Sequence, residues 1–248
     1  MNPLHLCIIE TGASDPTLVA KYGRYPDMIQ AWLRPVLPQA QFSVVSVYSG
    51  ETLDLESSTY DGFIVTGSPH GVYDDLPWIT TLQEQLRQIA EQGKPLFGIC
   101  FGHQVMAAAF GATVKKSTKG WGIGIQHYEF DIPELPAADV LVYHQDQVMS
   151  VPDGATVIGG SKHCPIGALQ YPFAARSIQF HPEFSNEFVA ALIEFRQDPI
   201  DDRDEQIQAL SRQEIDRQTV AQWAADFFIS HKKIAPEQNA QARTTSID

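Results

Sequence analysis

The chain has 248 residues, of which 44% are hydrophobic and 19% charged, a composition typical of a soluble globular protein with a full core. Its formal net charge of -13 argues against a nucleic-acid partner, which would bind through electrostatic attraction to basic residues. No apolar run approaches the roughly 20 residues that a membrane helix needs, so we predict no membrane partner.

The three cysteines, Cys7, Cys100 and Cys164, form no C-x-x-C pair and no disulfide framework of the secreted kind. This favours a reducing compartment, and we expect the protein in the cytoplasm. The first ten residues lack a basic segment, and their apolar run is too short for a signal sequence, so we predict that they form the first strand. We expect Cys7 and Cys164 to be small buried side chains.

The first half of the chain alternates strands with helices. Apolar runs at 42–48, 61–66 and 94–99 are typical of buried strands, whereas residues 77–92 carry apolar side chains at helical spacing. A further helical pattern, which uses Met28, Ile29, Trp32 and Leu33, ends near Pro35. Such alternation predicts a mostly parallel sheet with helices on both faces.

The stretch from Gly111 to Phe180 has short apolar runs separated by Gly, Pro and Asp, without helical patterns between them. We predict that they are antiparallel strands that close the sheet, and that a strand at 176–180 returns to the catalytic edge. Ser185 is a candidate N-cap for the helix that follows. The predicted antiparallel runs lie at 112–114, 123–125, 140–143, 155–158 and 167–170.

Beyond Pro199 the composition becomes charged and then helical. We predict an appended helix or helix pair whose apolar side packs on the core, and a frayed end at 236–248. The chain therefore divides into a main domain, 1–197, and a C-terminal helical extension, 198–248.

Cys100 lies where a predicted strand gives way to an Ala-rich helical run that Gly111 closes. Glycines two positions to either side, Gly98 and Gly102, let neighbouring backbone come close, as in the G-x-S-x-G elbow of the α/β hydrolases. The amide-bearing end of the helix favours the thiolate form of such a cysteine. Cys100 is therefore a candidate nucleophile.

A thiolate nucleophile needs a base that takes up a proton and later returns it to the leaving group. His181 ends a predicted strand, and Glu183 follows at i+2, which places both side chains on one face of an extended segment. Pro182 favours extended dihedrals for His181. We predict that Glu183 orients His181, which is the third role in a catalytic triad. The alternative is a strand-end pair that serves stability alone.

Attack on an amide or ester produces an oxyanion that backbone N–H groups stabilise. The N–H of Phe101, at the start of the helix, is one candidate donor. A second candidate is the loop that begins at Gly67 and Ser68, because it follows a neighbouring strand at the same edge of the sheet. A plain Gly/Pro turn explains this loop equally well.

The other histidines are weaker candidates for the base. His103 lies on the same turn as Cys100 and has no carboxylate at a helpful spacing, which favours a surface or supporting role. His144 and Asp146 form a rival i, i+2 pair in a polar stretch that is also suited to substrate contact. No two histidines stand four apart and none accompanies a close cysteine pair, so we predict no metal site.

Four motifs in order carry a resemblance to a known family: G-x-C-x-G-x-Q at 98–104, His-Pro-Glu at 181–183, the loop at 67–69, and His-Gln-Asp-Gln-Val at 144–148. With these motifs the sequence resembles the class I (triad) glutamine amidotransferases, especially stand-alone domains related to the glutaminase part of GMP synthase. The resemblance covers about residues 1–197.

The resemblance implies a flavodoxin-like three-layer α/β sandwich with a mostly parallel central sheet, antiparallel strand additions and an appended C-terminal helical segment. It also implies that Cys100 attacks the side-chain amide of glutamine, that His181 protonates the departing ammonia, and that water cleaves the γ-glutamyl thioester. Glu183 orients His181, and no cofactor is required.

The resemblance further implies substrate contacts. Gln104 and the backbone around Gln145 and Asp146 would hold the amino-acid end of the substrate, with Phe101 and the loop at 67–69 as the oxyanion hole. Relatives commonly have glycine where this chain has serine at position 68, which leaves open whether the amide of residue 67 or 68 donates.

Several functions remain compatible with these residues. We expect no ATP-binding domain after the main domain, so ammonia would pass to a separate synthetase or acceptor subunit or to water. One alternative is a γ-glutamyl hydrolase that acts on a γ-glutamyl amine or peptide by the same thioester chemistry. A second alternative is a non-catalytic regulatory module, against which the complete set of Cys100, His181 and Glu183 argues.

Overall fold

The computed structural model describes residues 3–56, 59–196, 198–199 and 202–232. In chain order the strands are β1 (His5–Glu10), β2 (Gln41–Ser46), β3 (Gly62–Val65), β4 (Leu96–Ile99), β5 (Val114–Lys116), β6 (Gly122–Phe130), β7 (Ala138–His144), β8 (Asp146–Val148), β9 (Thr156–Gly160), β10 (Ala168–Gln170) and β11 (Ala175–Ile178). The helices are α1 (Pro16–Tyr22), α2 (Tyr25–Leu33), α3 (Pro77–Glu91), α4 (Phe101–Ala109), α5 (Asn186–Phe195), α6 (Arg203–Arg212) and α7 (Gln218–His231).

The helices begin and end where local chemistry favours it. In α3, apolar side chains three or four residues apart are buried, and Pro77 occupies the first turn, where its missing N–H costs nothing. Ser185 caps α5 as predicted, because its hydroxyl accepts a hydrogen bond from the N–H of Phe188 at 3.2 Å.

Five strands form the parallel part of the sheet, in the order β2-β1-β3-β4-β11. This matches the 2-1-3-4-5 order of flavodoxin-like folds, in which the loops at the carboxyl ends of the strands form the ligand-binding edge. The loops after β1, β3, β4 and β11 all reach this edge. The predicted α/β class with a parallel central sheet is confirmed.

The sheet continues beyond β11 with antiparallel pairs, in the order β10-β9-β6-β7. The predicted antiparallel additions are confirmed for these strands. The run predicted at 112–114 is different, because the strand there is β5, which pairs with β8 in a separate two-stranded ribbon. Two of the three β5 residues are exposed, so β5 has no apolar face that could be buried in the main sheet.

Helices cover both faces of the sheet. Alternate residues of β1 point to opposite sides, with Leu6 and Ile8 packed in one core cluster and Cys7 and Ile9 in the other. The first cluster also contains residues of α2 and α7, and the second contains residues of α3 and α4. The layers are therefore helix, sheet and helix.

The predicted C-terminal helices are α6 and α7, and the apolar side of α7 is buried against the first core cluster. The residues at 236–248, for which we predicted a frayed end, lie outside the described part of the chain. The division at residue 197 stays a prediction, since α7 shares its core with the main sheet.

In the described part of the chain, no helix is long and apolar enough to cross a membrane.

Candidate active site

Cys100 occupies a strained turn between β4 and α4. Its backbone has φ 52° and ψ -102°, a conformation that L-residues rarely adopt. A Cβ on Gly98 would lie 2.6 Å from the carbonyl oxygen of Gly102, and a Cβ on Gly102 would overlap the carbonyl oxygen of Val65. The G-x-C-x-G pattern is therefore a steric requirement of this turn.

His181 and Glu183 form a buried pair just beyond β11. The imidazole Nδ1 lies 2.8 Å from Oε1 of Glu183, and the two residues are 4% and 3% exposed. The ring of Phe184 stacks on the imidazole, with centroids 3.9 Å apart and an interplanar angle of 5°. The predicted contact is present, but the predicted extended segment is wrong: β11 ends at Ile178, and residues 182–183 form a turn in which the N–H of Phe184 donates to the carbonyl of His181 at 3.4 Å.

Gly67 shows how close Cys100 and His181 lie to each other. A Cβ on Gly67 would be 3.1 Å from Cε1 of His181 and 3.8 Å from Cβ of Cys100. Burial lowers the pKa of His181, but its interactions with Cys100 and Glu183 outweigh burial and raise this pKa above its ordinary value. The site therefore favours an imidazolium next to the cysteine sulfur.

The predicted oxyanion-hole residues lie around the same sulfur. Gly67 and Ser68 line a recess of about 30 Å³ together with Cys100 and His181. Phe101 is the first residue of α4. Among the described residues, no acceptor is hydrogen-bonded to the N–H groups of Ser68 or Phe101.

The predicted substrate contacts Gln104, Gln145 and Asp146 line a cavity of about 270 Å³ that opens onto Cys100. The side-chain amide of Gln104 donates to the carbonyl of Asp146 at 2.9 Å and to Oε1 of Gln179 at 3.1 Å. Gln104 therefore holds the backbone of Asp146 in place, and all three residues form part of the cavity wall.

Gln179 is a site residue that the sequence did not single out. Its side-chain Nε2 donates to the sulfur of Cys100 at 3.5 Å, and its Oε1 accepts a hydrogen bond from Gln104. Gln179 therefore links Cys100 to a residue that lines the cavity. The available signal was the position of Gln179, immediately after the strand β11 and two residues before His181.

The cavity also contains a charged residue, Lys116, that sequence analysis did not assign to the site. Lys116 and Asp146 both line it, and the Tyr73 hydroxyl donates to the Asp146 carboxylate at 2.8 Å. Burial raises the pKa of Asp146, while the Tyr73 hydroxyl and Lys116 act in the opposite direction. A cation and an anion in one cavity complement the carboxylate and the ammonium of an amino acid.

Arg196 borders both the cavity and the recess beside His181. Its guanidinium lies 5.5 Å from the ring centre of Trp121 and 5.3 Å from that of Tyr143. Asp198 holds the same guanidinium, with 2.6 Å between Nε and Oδ2. Stacking and the ion pair fix this positive charge at the mouth of the site.

The rival histidines are buried, and each has a ring nitrogen with a hydrogen-bond partner other than Cys100. His144 hydrogen-bonds to the carbonyl of Asp146 at 3.1 Å, and burial lowers its pKa to about 3. His103 contacts Ser177 and the carbonyl of Ile166, and burial lowers its pKa to about 4. Of the two roles considered for His103, the surface one is wrong and the supporting one fits.

The described residues contain no candidate metal centre, and the other large cavity lies apart from the predicted site residues. Within the described ranges, no three His, Cys, Asp or Glu side chains converge as metal ligands would. A larger cavity of about 780 Å³ lies beside β6 and β9, but it contains none of the predicted site residues.

The family model described as glutamine amidotransferase class-I matches residues 28–194, which is more than half of the chain. The chain belongs to this family. Membership agrees with the motifs from which the resemblance was drawn.

Two kinds of relatives match this amidotransferase chain. Gamma-glutamyl peptidase 3 of Arabidopsis thaliana is 29% identical over 165 residues, which cover 62% of this chain and 66% of that protein. Gamma-glutamyl peptidase 5 of the same plant is 28% identical over 73% of this chain and 76% of its own length. A glutamine-hydrolysing GMP synthase of Lactobacillus delbrueckii subsp. bulgaricus is 36% identical over 50% of this chain, but only 25% of that enzyme is covered.

Solved structures support the fold of this class-I amidotransferase. A glutamine amidotransferase from Thermotoga maritima superposes with a TM-score of 0.72 and 19% identity, over 94% of this chain and 99% of that one. A glutamine amidotransferase from Methylobacillus flagellatus gives a TM-score of 0.72 and 20% identity, over 98% and 100%. The match includes most of the described chain, so the C-terminal helices do not disturb the shared fold.

Proposed function

We propose that this chain hydrolyses the amide bond of γ-glutamyl compounds through a thioester on Cys100. The observation that carries the proposal is a cysteine on a strained strand-to-helix turn beside the buried His181–Glu183 pair. Strained backbone and a buried charged pair both cost stability, and a catalytic role accounts for both.

The proposed reaction has two stages. The sulfur of Cys100 bonds to the amide carbon, the C–N bond breaks, and the leaving nitrogen takes a proton from His181. A water molecule then attacks the thioester, His181 takes up its proton, and the C–S bond breaks to give glutamate and the free thiol. Glu183 holds the imidazole in the required orientation throughout.

The first candidate substrate is glutamine, for which the leaving group is ammonia. Family membership and similarity to the glutaminase part of a GMP synthase support it. In this case ammonia passes to a separate synthetase or acceptor subunit, or to water. The cytoplasm, inferred from the cysteines, stays a prediction.

The second candidate substrate is a γ-glutamyl amine or peptide. Similarity to several plant gamma-glutamyl peptidases supports it. Both candidates share the γ-glutamyl half, for which Lys116 and Asp146 supply complementary charges in the cavity. They differ only in the amine that leaves.

The test is glutamate release by the purified full chain from L-glutamine and from a γ-glutamyl dipeptide, measured separately. We expect release from at least one of them, and the larger kcat/KM identifies the substrate class. Cys100→Ala should reduce release by at least about 1,000-fold because it removes the nucleophile.

The matched control is Cys164→Ala. Cys164 is fully buried, its pKa is raised by burial to about 12, and it has no proposed role, so its loss should leave turnover unchanged. If the wild-type chain releases no glutamate from either compound and a glutamine-mimicking electrophile does not label Cys100, the regulatory-module alternative replaces this proposal.

A further inference from the structure

The carbonyl of Gly67, at the start of the loop after β3, is held by two side-chain hydroxyls. The Oγ1 atoms of Thr11 and Thr66 lie 3.0 Å and 2.9 Å from it. Both threonines are fully buried. Among the described residues no backbone N–H bonds to this carbonyl, so the two hydroxyls are its hydrogen-bond donors, and the Thr11 hydroxyl also lies 3.1 Å from the carbonyl of Thr66.

The two threonines also fix each other. The N–H of Thr11 donates to Oγ1 of Thr66 at 3.0 Å, and the two hydroxyl oxygens lie 3.0 Å apart. Because Oγ1 of Thr66 accepts this N–H, its own proton is available to Gly67. We call Thr11 and Thr66 the threonine clamp.

Ser68, the next residue along the chain, is also hydrogen-bonded to the threonine clamp. Its hydroxyl donates to the carbonyl of Thr11 at 2.7 Å and accepts the N–H of His70 at 3.2 Å. A glycine at position 68 would have neither contact. The serine that departs from the family pattern therefore adds an anchor to the loop.

The clamp determines the direction of the next N–H group. The described peptide bonds are all trans, so the N–H of Ser68 points opposite to the carbonyl of Gly67. That carbonyl faces the buried hydroxyls, so the N–H points away from them, and Ser68 is one of the residues that line the recess beside Cys100. This N–H has no acceptor among the described residues.

The neighbouring amide is oriented differently. The carbonyl of Thr66 accepts the N–H of Gly102, at the start of α4, at 3.1 Å. The N–H of Gly67 belongs to the same trans peptide and points away from α4, which is the helix that begins beside Cys100. Ser68 is thus the better donor of the two.

We propose that Thr11 and Thr66 are positioning residues that preset the N–H of Ser68 as the second oxyanion donor, opposite the N–H of Phe101. This assignment rests on the proposed function and deepens it. A reversed peptide would take the Gly67 carbonyl away from both buried hydroxyls and would leave Thr11 only the carbonyl and hydroxyl of Thr66 as acceptors, which disfavours that orientation. The donor is therefore in place before substrate binds, as efficient oxyanion stabilisation requires.

The test compares Thr11→Val and Thr66→Val with the wild-type full chain, because valine keeps the shape and removes the hydroxyl. With L-glutamine and a γ-glutamyl dipeptide as probes, we expect kcat to fall by about 10- to 100-fold, less than the 10²–10³ typical of complete loss of an oxyanion donor. KM should change by less than about twofold, since the donor acts mainly in the transition state.

Two comparisons separate positioning from general damage. Thr11→Ser keeps the hydroxyl and should recover most of the lost kcat. Thr81→Val is the matched control, because the Thr81 hydroxyl bonds only to Pro77 within exposed α3 surface, and it should behave as wild type. Alkylation of Cys100 by iodoacetamide forms no oxyanion, so its rate should be unchanged in the valine variants.

The assignment is overturned if both valine variants keep wild-type kcat, if Thr11→Ser is as impaired as Thr11→Val, or if iodoacetamide alkylation slows in parallel with kcat. If Thr11→Val does not fold, Thr66→Val with Thr66→Ser decides the question in the same way. A wild-type chain that is inactive on both probes overturns the proposed function itself, and this assignment with it.

Discussion

The carboxylate of Glu183 is buried and uses one oxygen to hold His181, while its Oε2 has no hydrogen-bond partner among the described residues. Its negative charge is one reason why the pKa of His181 is raised. Glu183→Gln keeps an oxygen for the imidazole and removes the charge. We expect kcat to fall by about 10- to 100-fold, which is less than for Cys100→Ala, because orientation is partly retained.

The pH dependence gives a second readout for Glu183→Gln. In the proposed mechanism the leaving nitrogen takes its proton from His181, so the alkaline limb of the pH–rate profile should follow the pKa of this residue. Loss of the Glu183 charge lowers that pKa, and the alkaline limb should move to lower pH. Exposed Glu129 on β6 provides the control substitution Glu129→Gln, with no change expected. A loss equal to that of Cys100→Ala would contradict the orienting role.

The sequence alone predicted contacts and turns that involve residues close together in the chain. The turn at Cys100 is marked by nearby glycines, and the His181–Glu183 contact joins residues only two apart, although it is made across a turn and not in an extended segment. Gln179 contacts Cys100 across 79 positions of the chain, so that contact depends on which strands are neighbours in the sheet. Arg196 reaches the site through the path of the chain after α5, which no local pattern encodes.

At the scale of elements, α7 is the part of the C-terminal extension that is built into the core. Phe228 is fully buried, its ring centre lies 6.3 Å from that of Phe97 in β4, and it covers Gly62 in β3, where a Cβ would be 2.8 Å from the ring. The extension thus packs directly on the sheet that presents the site.

Phe228→Ala should lower the free energy of unfolding by about 3–5 kcal/mol, as expected for removal of a buried aromatic ring. The matched control is Ile229→Ala on the same helix, because Ile229 is 54% exposed and should change stability by less than about 0.5 kcal/mol. Urea denaturation of both variants measures the difference. Equal effects would mean that α7 is not anchored through this face.

Helices and strands with regularly spaced apolar residues were predictable from the sequence, whereas the short helix α1 and the sheet position of the short strand β5 were not. The spacing of buried residues gave α3 and the strand–turn–helix around Cys100 to within a residue or two. Helix α1 was overlooked because its seven residues bury only Leu18, although Asp15 and Pro16 are good N-cap and N1 residues. β5 was placed in the wrong sheet because three residues carry no information about their partner strand.

At the scale of the whole molecule, two buried neutral histidines make stability depend on pH. Burial lowers the pKa of His103 to about 4 and that of His144 to about 3, whereas an unfolded histidine titrates near 6.5. Below about pH 6.5 the unfolded chain binds protons that the folded chain does not, so the free energy of unfolding decreases as the pH is lowered. We expect a loss of about 1.4 kcal/mol per pH unit for each histidine between about pH 6 and pH 4.

His181 does not offset this loss. Its pKa is raised in the folded chain, so its contribution is fully present below about pH 6.5 and is lost only as the pH rises. Urea denaturation at a series of pH values measures the slope, which should be smaller in His103→Gln. His231→Gln, at the exposed last residue of α7, should keep the wild-type slope. A slope that is the same in all three chains would contradict this assignment.

The positive φ of Cys100 has a consequence for how this sequence evolves. A glycine at position 100 would relieve the backbone strain, so selection for stability alone would favour its replacement. A lineage that had lost the reaction would be free to drift toward that residue. A β-carbon and a sulfur at a turn where stability alone favours glycine are what the proposed nucleophilic role of Cys100 would account for.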